Sequence, residues 1–319
     1  MLGVSSTEST GTTRDRNVID PEALLLFTLL IAPREPRLFG EVLDWLRVNG
    51  RLMSVSRLRN LTRGDRERRL VGAALAWAGM HNPRLQLWAA RSPTAGDPEP
   101  LSEIYVQQPD PAFAAWGFLW PTTTPSNKSG EVDPSRREAL AFRLRLLFGV
   151  GARAEIFRFL LTTSSRERTT SEIAHAAGFG RRNVADALEE LVDAGAIDAG
   201  PRGRARTYGL DRERWAGFLG IETGELPPHA DWRRSLRALG RVVVWFDEDD
   251  SVERSPYLRA SDARQLVEDL TDDLAAAGVT VPHTSDAHGA DYWEVFERVV
   301  NELADRLTAP HHGSSPFDQ

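Results

Sequence analysis

The chain has 319 residues, 41% of them hydrophobic, with 46 acidic against 39 basic side chains and no cysteine. That length and apolar content suit about two or three packed domains rather than a disordered chain. The missing cysteines exclude disulfides, thiolate zinc sites and cysteine nucleophiles.

The longest apolar run, Ala23 to Ala32, includes a Thr and falls far short of the ~20 residues of a membrane helix. Residues 1–17 hold no apolar signal core. A soluble, cytoplasmic protein without a membrane partner is therefore expected. Charge is uneven along the chain. Residues 1–152 hold 16 acidic against 19 basic side chains, 153–214 hold 10 against 11, and 215–319 hold 20 against 9. An acidic total does not exclude DNA as a partner when positive charge is concentrated locally.

Residues 1–17, rich in Ser, Thr and Gly, read as a disordered tail. Asp20-Pro21-Glu22 then predicts a helix start, with Asp as cap and Pro at the first helical position. This helix passes through Leu24, Leu25, Leu26, Phe27 and Leu30 and stops before Pro33; apolar on every side, it is expected to be buried. Further helices are predicted over Leu38–Val48, around Ser54–Leu61 and over Asp65–Met80, so residues 18–135 read as an N-terminal helical domain. Within it, residues 83–135 hold nine of the 19 prolines, interleaved with Trp88, Tyr105, Phe113, Trp116, Phe118 and Trp120. Either these aromatics plug the bundle from a crossing segment, or they line a pocket for a small-molecule effector.

A domain over 136–218 follows. Arg136–Val150 is predicted as a helix with Leu140, Leu144 and Leu147 on one face. Its Arg136, Arg137, Arg143 and Arg145 lie elsewhere, either on phosphates or on a solvated face. It leads directly into a core stripe of Ile156, Phe157, Phe159 and Leu160. Thr169-Thr170-Ser171-Glu172 fits a capping box, with Thr169 as cap. The helix it opens turns Ile173, Ala176 and Ala177 inward; Gly178 stops it, and Phe179 lids the turn. Arg181–Ala194 is a second helix, with Val184, Ala187, Leu188, Leu191 and Val192 on one side and a surface that is basic first and acidic afterwards. Glu189 and Asp193 must point away from any phosphate, whereas Asp186 suits either a cytosine amino group or an arginine. A β-ribbon then turns at Pro201–Arg206, where Arg202, Arg204 and Arg206 alternate and would share one face of a regular strand.

From about Arg153 to Leu210 the chain resembles the winged helix-turn-helix of bacterial MarR/ArsR-type transcriptional regulators. The resemblance rests on T-x-x-E-I-A from Thr169, a Gly turn, a basic helix ending in L-x-x-A-G-A-I from Leu191, and G-R-x-R-x-Y-x-L from Gly203. It implies a dimeric DNA-binding module with a recognition helix at Arg181–Leu191 and a wing at Pro201–Arg206. The candidate DNA contacts are Thr170, Arg181, Arg182, Asn183, Arg202, Arg204 and Arg206.

Asp211–Leu219 is expected to close this unit with Trp215 and Phe218 packed on it, and Leu226–His229 to be a linker. The remainder, 226–309, reads as an acidic helical domain, and 310–319 as a second disordered tail. Its helices are predicted over Trp232–Phe246, ended by the acids Asp247–Asp250, then Asp262–Ala277 and Asp291–Leu307. The last has a wide stripe (Tyr292, Val295, Phe296, Val299, Val300, Leu303, Leu307) that suits a core or a dimer seam. Asp247, Asp249 and Asp250 lack the upstream Gly-Ser loop of a nucleotidyl-transfer site, and His283, Asp286, His288 and Asp291 sit in a loop-like setting. With no phosphate loop, dinucleotide fingerprint or nucleophile elbow, neither an enzyme nor a cofactor or metal is expected.

The fold class expected is mainly α, a central winged helix-turn-helix flanked by all-helical N- and C-terminal domains. The function expected is DNA-binding transcriptional regulation as a homodimer. The alternative is an adaptor that docks a protein through the same module and the acidic C-terminal region.

Overall fold

Asp20 opens the first helix as its position before Pro21 predicts: its carboxylate accepts the Ala23 amide at 3.1 Å, and α1 runs Pro21–Ile31. The computed structural model describes residues 18–89, 97–165, 167–202, 205–250, 255–282 and 289–308. Both tails lie outside them. Among the described residues no helix is long and apolar enough to cross a membrane.

Helices α2 (Pro36–Asn49), α3 (Val55–Leu61, capped by Ser54) and α4 (Asp65–His81) complete a bundle whose core holds Phe39, Leu43, Leu58, Ala74 and Trp77. A crossing segment follows with α5 (Gln86–Ala89), β1 (Glu99–Pro100), α6 (Pro111–Ala114) and β2 (Phe118–Leu119), the two short strands pairing in parallel. Phe113, Trp116, Phe118 and Trp120 are buried in the bundle core, with Trp120 edge-on to Phe39 at 4.6 Å. The aromatics therefore fill space, the first of the two readings; Tyr105 is exposed.

The helix predicted through Val150 instead stops at Phe148: α7 is Leu140–Phe148, and Gly149 has φ +80°, a left-handed value that favours glycine. After it come α8 (Ala152–Thr162), β3 (Arg168–Thr169), α9 (Thr170–Ala177), α10 (Arg181–Asp193), β4 (Asp198–Arg202), β5 (Ala205–Gly209) and α11 (Arg212–Phe218). The strands form an antiparallel sheet in the order β3-β5-β4. Ile156, Phe157, Leu160, Ile173, Val184, Leu188 and Tyr208 share a second core. Trp215 packs there and donates from Nε1 to the Ala196 carbonyl at 3.0 Å; Phe218 sits edge-on to it with centroids 5.5 Å apart yet is 66% exposed.

The expected linker is a packed strap. Leu226 is buried in the second core, and the His229 amide donates to the Thr162 carbonyl at 3.0 Å. Helix α12 (Trp232–Asp250) runs on through the acids expected to end it, and Asp247 pairs with Arg34. Next, α13 (Pro256–Asp269) starts earlier than predicted, with Ser255 accepting the Leu258 amide; α14 (Thr271–Ala276) is a separate turn, and α15 is Tyr292–Thr308. Tyr292, Val295, Phe296, Val299 and Leu303 are buried in a third core with α13 residues, and Val300 and Leu307 of the same stripe are partly buried against it.

The first two cores meet at a buried ionic junction. Arg145 donates to Glu22 at 2.8 and 2.6 Å, to Glu155 at 3.1 and 2.6 Å and to the Leu52 carbonyl at 2.7 Å. Arg57 bonds Asp20 and Glu22, and Arg158 bonds Glu155. Arg145 thus lies neither on phosphate nor on a solvated face, the two places expected for it. The burial expected of α1 extends to Glu22, which has no exposure. Three guanidiniums and three carboxylates balance, which is how charge survives burial.

Candidate nucleic-acid interface

The capping box forms: Thr169 Oγ1 accepts the Glu172 amide at 3.3 Å, and Glu172 Oε2 accepts the Thr169 amide at 2.7 Å. Partial burial favours the neutral Glu172 carboxyl, but these Thr169 bonds and Arg168 hold it below its ordinary value. At the other end of α9, Gly178 has φ +71° and Phe179 is buried beneath the turn. Arg57 Nε donates to the Ala177 carbonyl at 2.7 Å, so the last turn of α9 is fixed to α3. The α9–α10 angle is therefore set both by its own turn and by the ionic junction.

Helix α10 starts after Gly180, which offers no capping side chain. Val184, Ala187, Leu188 and Leu191 are buried, and Arg181, Arg182 and Asn183 are exposed. Among the described residues those three side chains make no hydrogen bond or ion pair. The acids of the same helix behave differently. Glu189 accepts from Arg206 Nη1 at 2.7 Å and from the Tyr208 hydroxyl at 3.0 Å; Glu190 accepts from Arg153 Nε at 2.9 Å. Arg206 also lies over the Tyr208 ring at 5.5 Å. Burial and the Glu189 carboxylate push the Tyr208 phenol above its ordinary value.

Arg182 and Asn183 line an open groove of about 810 Å³ with Gly149, Gly151, Arg153 and Gly180. The first turns of α8 and α10 both border it, and the unsatisfied amides of helix N-termini favour anions. Arg153 and the Gly149–Gly151 turn were not expected at the site. The signal lay in Gly-Val-Gly-Ala-Arg: two glycines cannot easily continue a helix, and the break turns Arg153 toward α10.

The other candidates separate. Thr170 is the half-buried first residue of α9, beside the Tyr208 hydroxyl. The ribbon register pairs Arg202 with Ala205 and Arg206 with Pro201. Positions 202 and 206 thus fall on alternate faces of a hairpin, and the single arginine face expected from a regular strand does not form. Arg204 and the Arg202 side chain lie outside the described residues, as do His283, Asp286, His288 and the side chains of Asp249 and Asp250. Among the described residues no cluster of His, Asp and Glu could hold a metal ion. No family model, curated protein or solved structure matches the chain.

Proposed function

We propose that residues 136–218 are a winged helix-turn-helix of MarR/ArsR type, and that the protein is a cytoplasmic transcriptional regulator binding duplex DNA as a homodimer. On this reading α10 is the recognition helix and β4–β5 is the wing, while Arg153 holds Glu190. One observation carries it: α10 leaves its basic first turn unpaired while Glu189 and Glu190 are engaged by Arg206 and Arg153. Two acids that would repel phosphate are thereby paired, while Asp186, which lines the groove, and Asp193 stay exposed, and the basic first turn that reaches base edges stays free. Arg206 is occupied by Glu189, so phosphate contacts from the wing fall to Arg202 and Arg204.

The test is a salt titration of affinity for duplex DNA. Log affinity should fall linearly with log salt, and Arg181→Ala with Arg182→Ala should reduce the slope by about 2, because each arginine neutralises one phosphate. Binding indifferent to both salt and these substitutions would overturn the reading. A second reading, docking of a protein partner, draws on Leu146, Leu147 and Phe218, which are exposed around α7 and α11. It predicts a stoichiometric protein complex that leaves the DNA-facing arginines uncovered.

A further inference from the structure

A cavity of about 490 Å³ lies between α1, α4, α12 and α14, lined by other residues than the α10 groove. Its size is that of small-molecule sites, roughly 300–1,000 Å³. Three contacts show that α1 and α12 lie side by side in the same direction. Trp232 Nε1 donates to the Val18 carbonyl at 2.8 Å, Gly240 faces Phe27 and Leu30, and Arg34 pairs with Asp247. A Cβ at position 240 would come within 3.1 Å of Leu30 and 3.6 Å of Phe27, so glycine lets the helices close there.

The cavity is asymmetric along this seam. Leu26, Phe27, Leu30 and Leu236 supply apolar wall, and Arg233 stands near the Ala23 end. The carboxylates of the lining are already engaged. Asp273 holds Arg237, Glu67 accepts the Arg63 amide at 2.8 Å, and Asp269 accepts from Gln265 at 2.9 Å. Arg233 is different: its side chain is 18% exposed, its nearest carboxylate is Asp231 at 4.0 Å, and its guanidinium makes no hydrogen bond among the described residues. Five donors in a fixed fork are thus held at a cavity wall without an acceptor. The long Asp231 contact leaves the fork free to take an anion, and a carboxylate fits it with two parallel bonds. Burial accordingly pushes Arg233 below its ordinary pKa.

We propose that this cavity binds an amphipathic monocarboxylate, its carboxylate on Arg233 and its apolar body along Leu26, Phe27 and Leu30. The apolar wall from Ala23 to Leu30 spans about 10 Å at ~1.5 Å per helical residue. That length suits a medium aliphatic chain or a phenyl-terminated short one. The site stands independently of the DNA reading, because occupancy is measured directly.

The experiment is calorimetric titration of the full chain with decanoate and 4-phenylbutyrate, with 1-decanol as the neutral counterpart. At least one carboxylate should bind at one site per chain and raise the melting temperature, while decanol binds at least about tenfold more weakly. Arg233→Met should weaken the carboxylate at least about tenfold, whereas Arg241→Met, at the exposed far end, should leave it unchanged. Without ligand, Arg233→Met should melt no lower than the parent, because it removes a largely buried charge whose one ion pair, to Asp231, is long; a lower melting point would mark Arg233 as structural and count against the site. Should Arg233→Met not fold, Leu26→Trp fills the apolar end and should abolish binding by itself. The proposal is overturned if neither carboxylate binds, if decanol binds as well, or if loss of binding follows Arg241 instead of Arg233.

Discussion

His229 sets its ring edge-on to Phe159, with centroids 4.9 Å apart, and buries Nδ1 without a hydrogen-bond partner. Burial, reinforced by the nearby Arg158 guanidinium, pushes this imidazole down from 6.5 to about 4. The unfolded chain therefore takes up a proton at higher pH than the folded one. This contribution to stability is complete above about pH 6.5 and drains away as pH falls toward about 4. His229→Phe keeps an aromatic edge against Phe159 and removes the titration. Urea midpoints measured between pH 7 and pH 4 should fall less for the variant than for the parent, and parallel curves would refute the assignment. Nothing in Leu-Pro-Pro-His distinguishes a packed strap from a free linker, because what decides it is Phe159, seventy residues away.

Several element boundaries set by a local rule were legible, though the Gly149 stop of α7 and the Ser255-Pro256 start of α13 were not. Asp20 with Pro21, Thr169 with Glu172, and Gly178 each act within one turn of their own helix, and each does as its spacing predicts. The other misses are tertiary. Helix α12 continues through its acids with Asp247 paired to Arg34 far away in sequence, and the residue pairing of the ribbon moves Arg202 and Arg206 to alternate faces. Within the candidate site, the exposed Arg181-Arg182-Asn183 turn was readable from helical periodicity. The engagement of Glu189 by Arg206 was not, since it depends on ribbon register.

The crossing segment gives the same lesson in packing. Its aromatics could be read as plug or pocket, and Gly72 of α4 decides it: a Cβ there would lie 2.5 Å from the Trp116 ring. Gly72→Ala should therefore destabilise the protein by about 1–3 kcal/mol through overpacking, despite alanine's better helix propensity. A rise in the urea midpoint would show that the indole has room to move.

At the scale of the whole molecule, the six-residue ionic junction decides whether the N-terminal bundle and the α8–α10 unit behave as one body. Glu22 belongs to the first, Glu155 to the second, and Arg145 touches both with almost no exposure of its own. Burial alone would raise the Glu155 carboxyl, but Arg145 and Arg158 overcome it and hold it down at about 2; Asp20, beside Arg57, is held well below the usual carboxylate range. Depressed carboxylates stabilise the fold above their unfolded values near 4, and that stability is lost as pH falls through the folded values. Removing Arg145 leaves Glu22 and part of Glu155 buried without their main partner, a loss of about 3–5 kcal/mol at neutral pH. Arg145→Met, which retains bulk, should therefore lower urea stability by about that much at pH 7. Its penalty should shrink between pH 4 and pH 2, because acid protonates the stranded carboxylates in the variant and dismantles the network in the parent. This acid-range change is separate from the His229 step, which ends where it begins. A penalty constant from pH 7 to pH 2 would mean that Arg145 acts by packing, and that apolar contacts rather than charge hold the two bodies together.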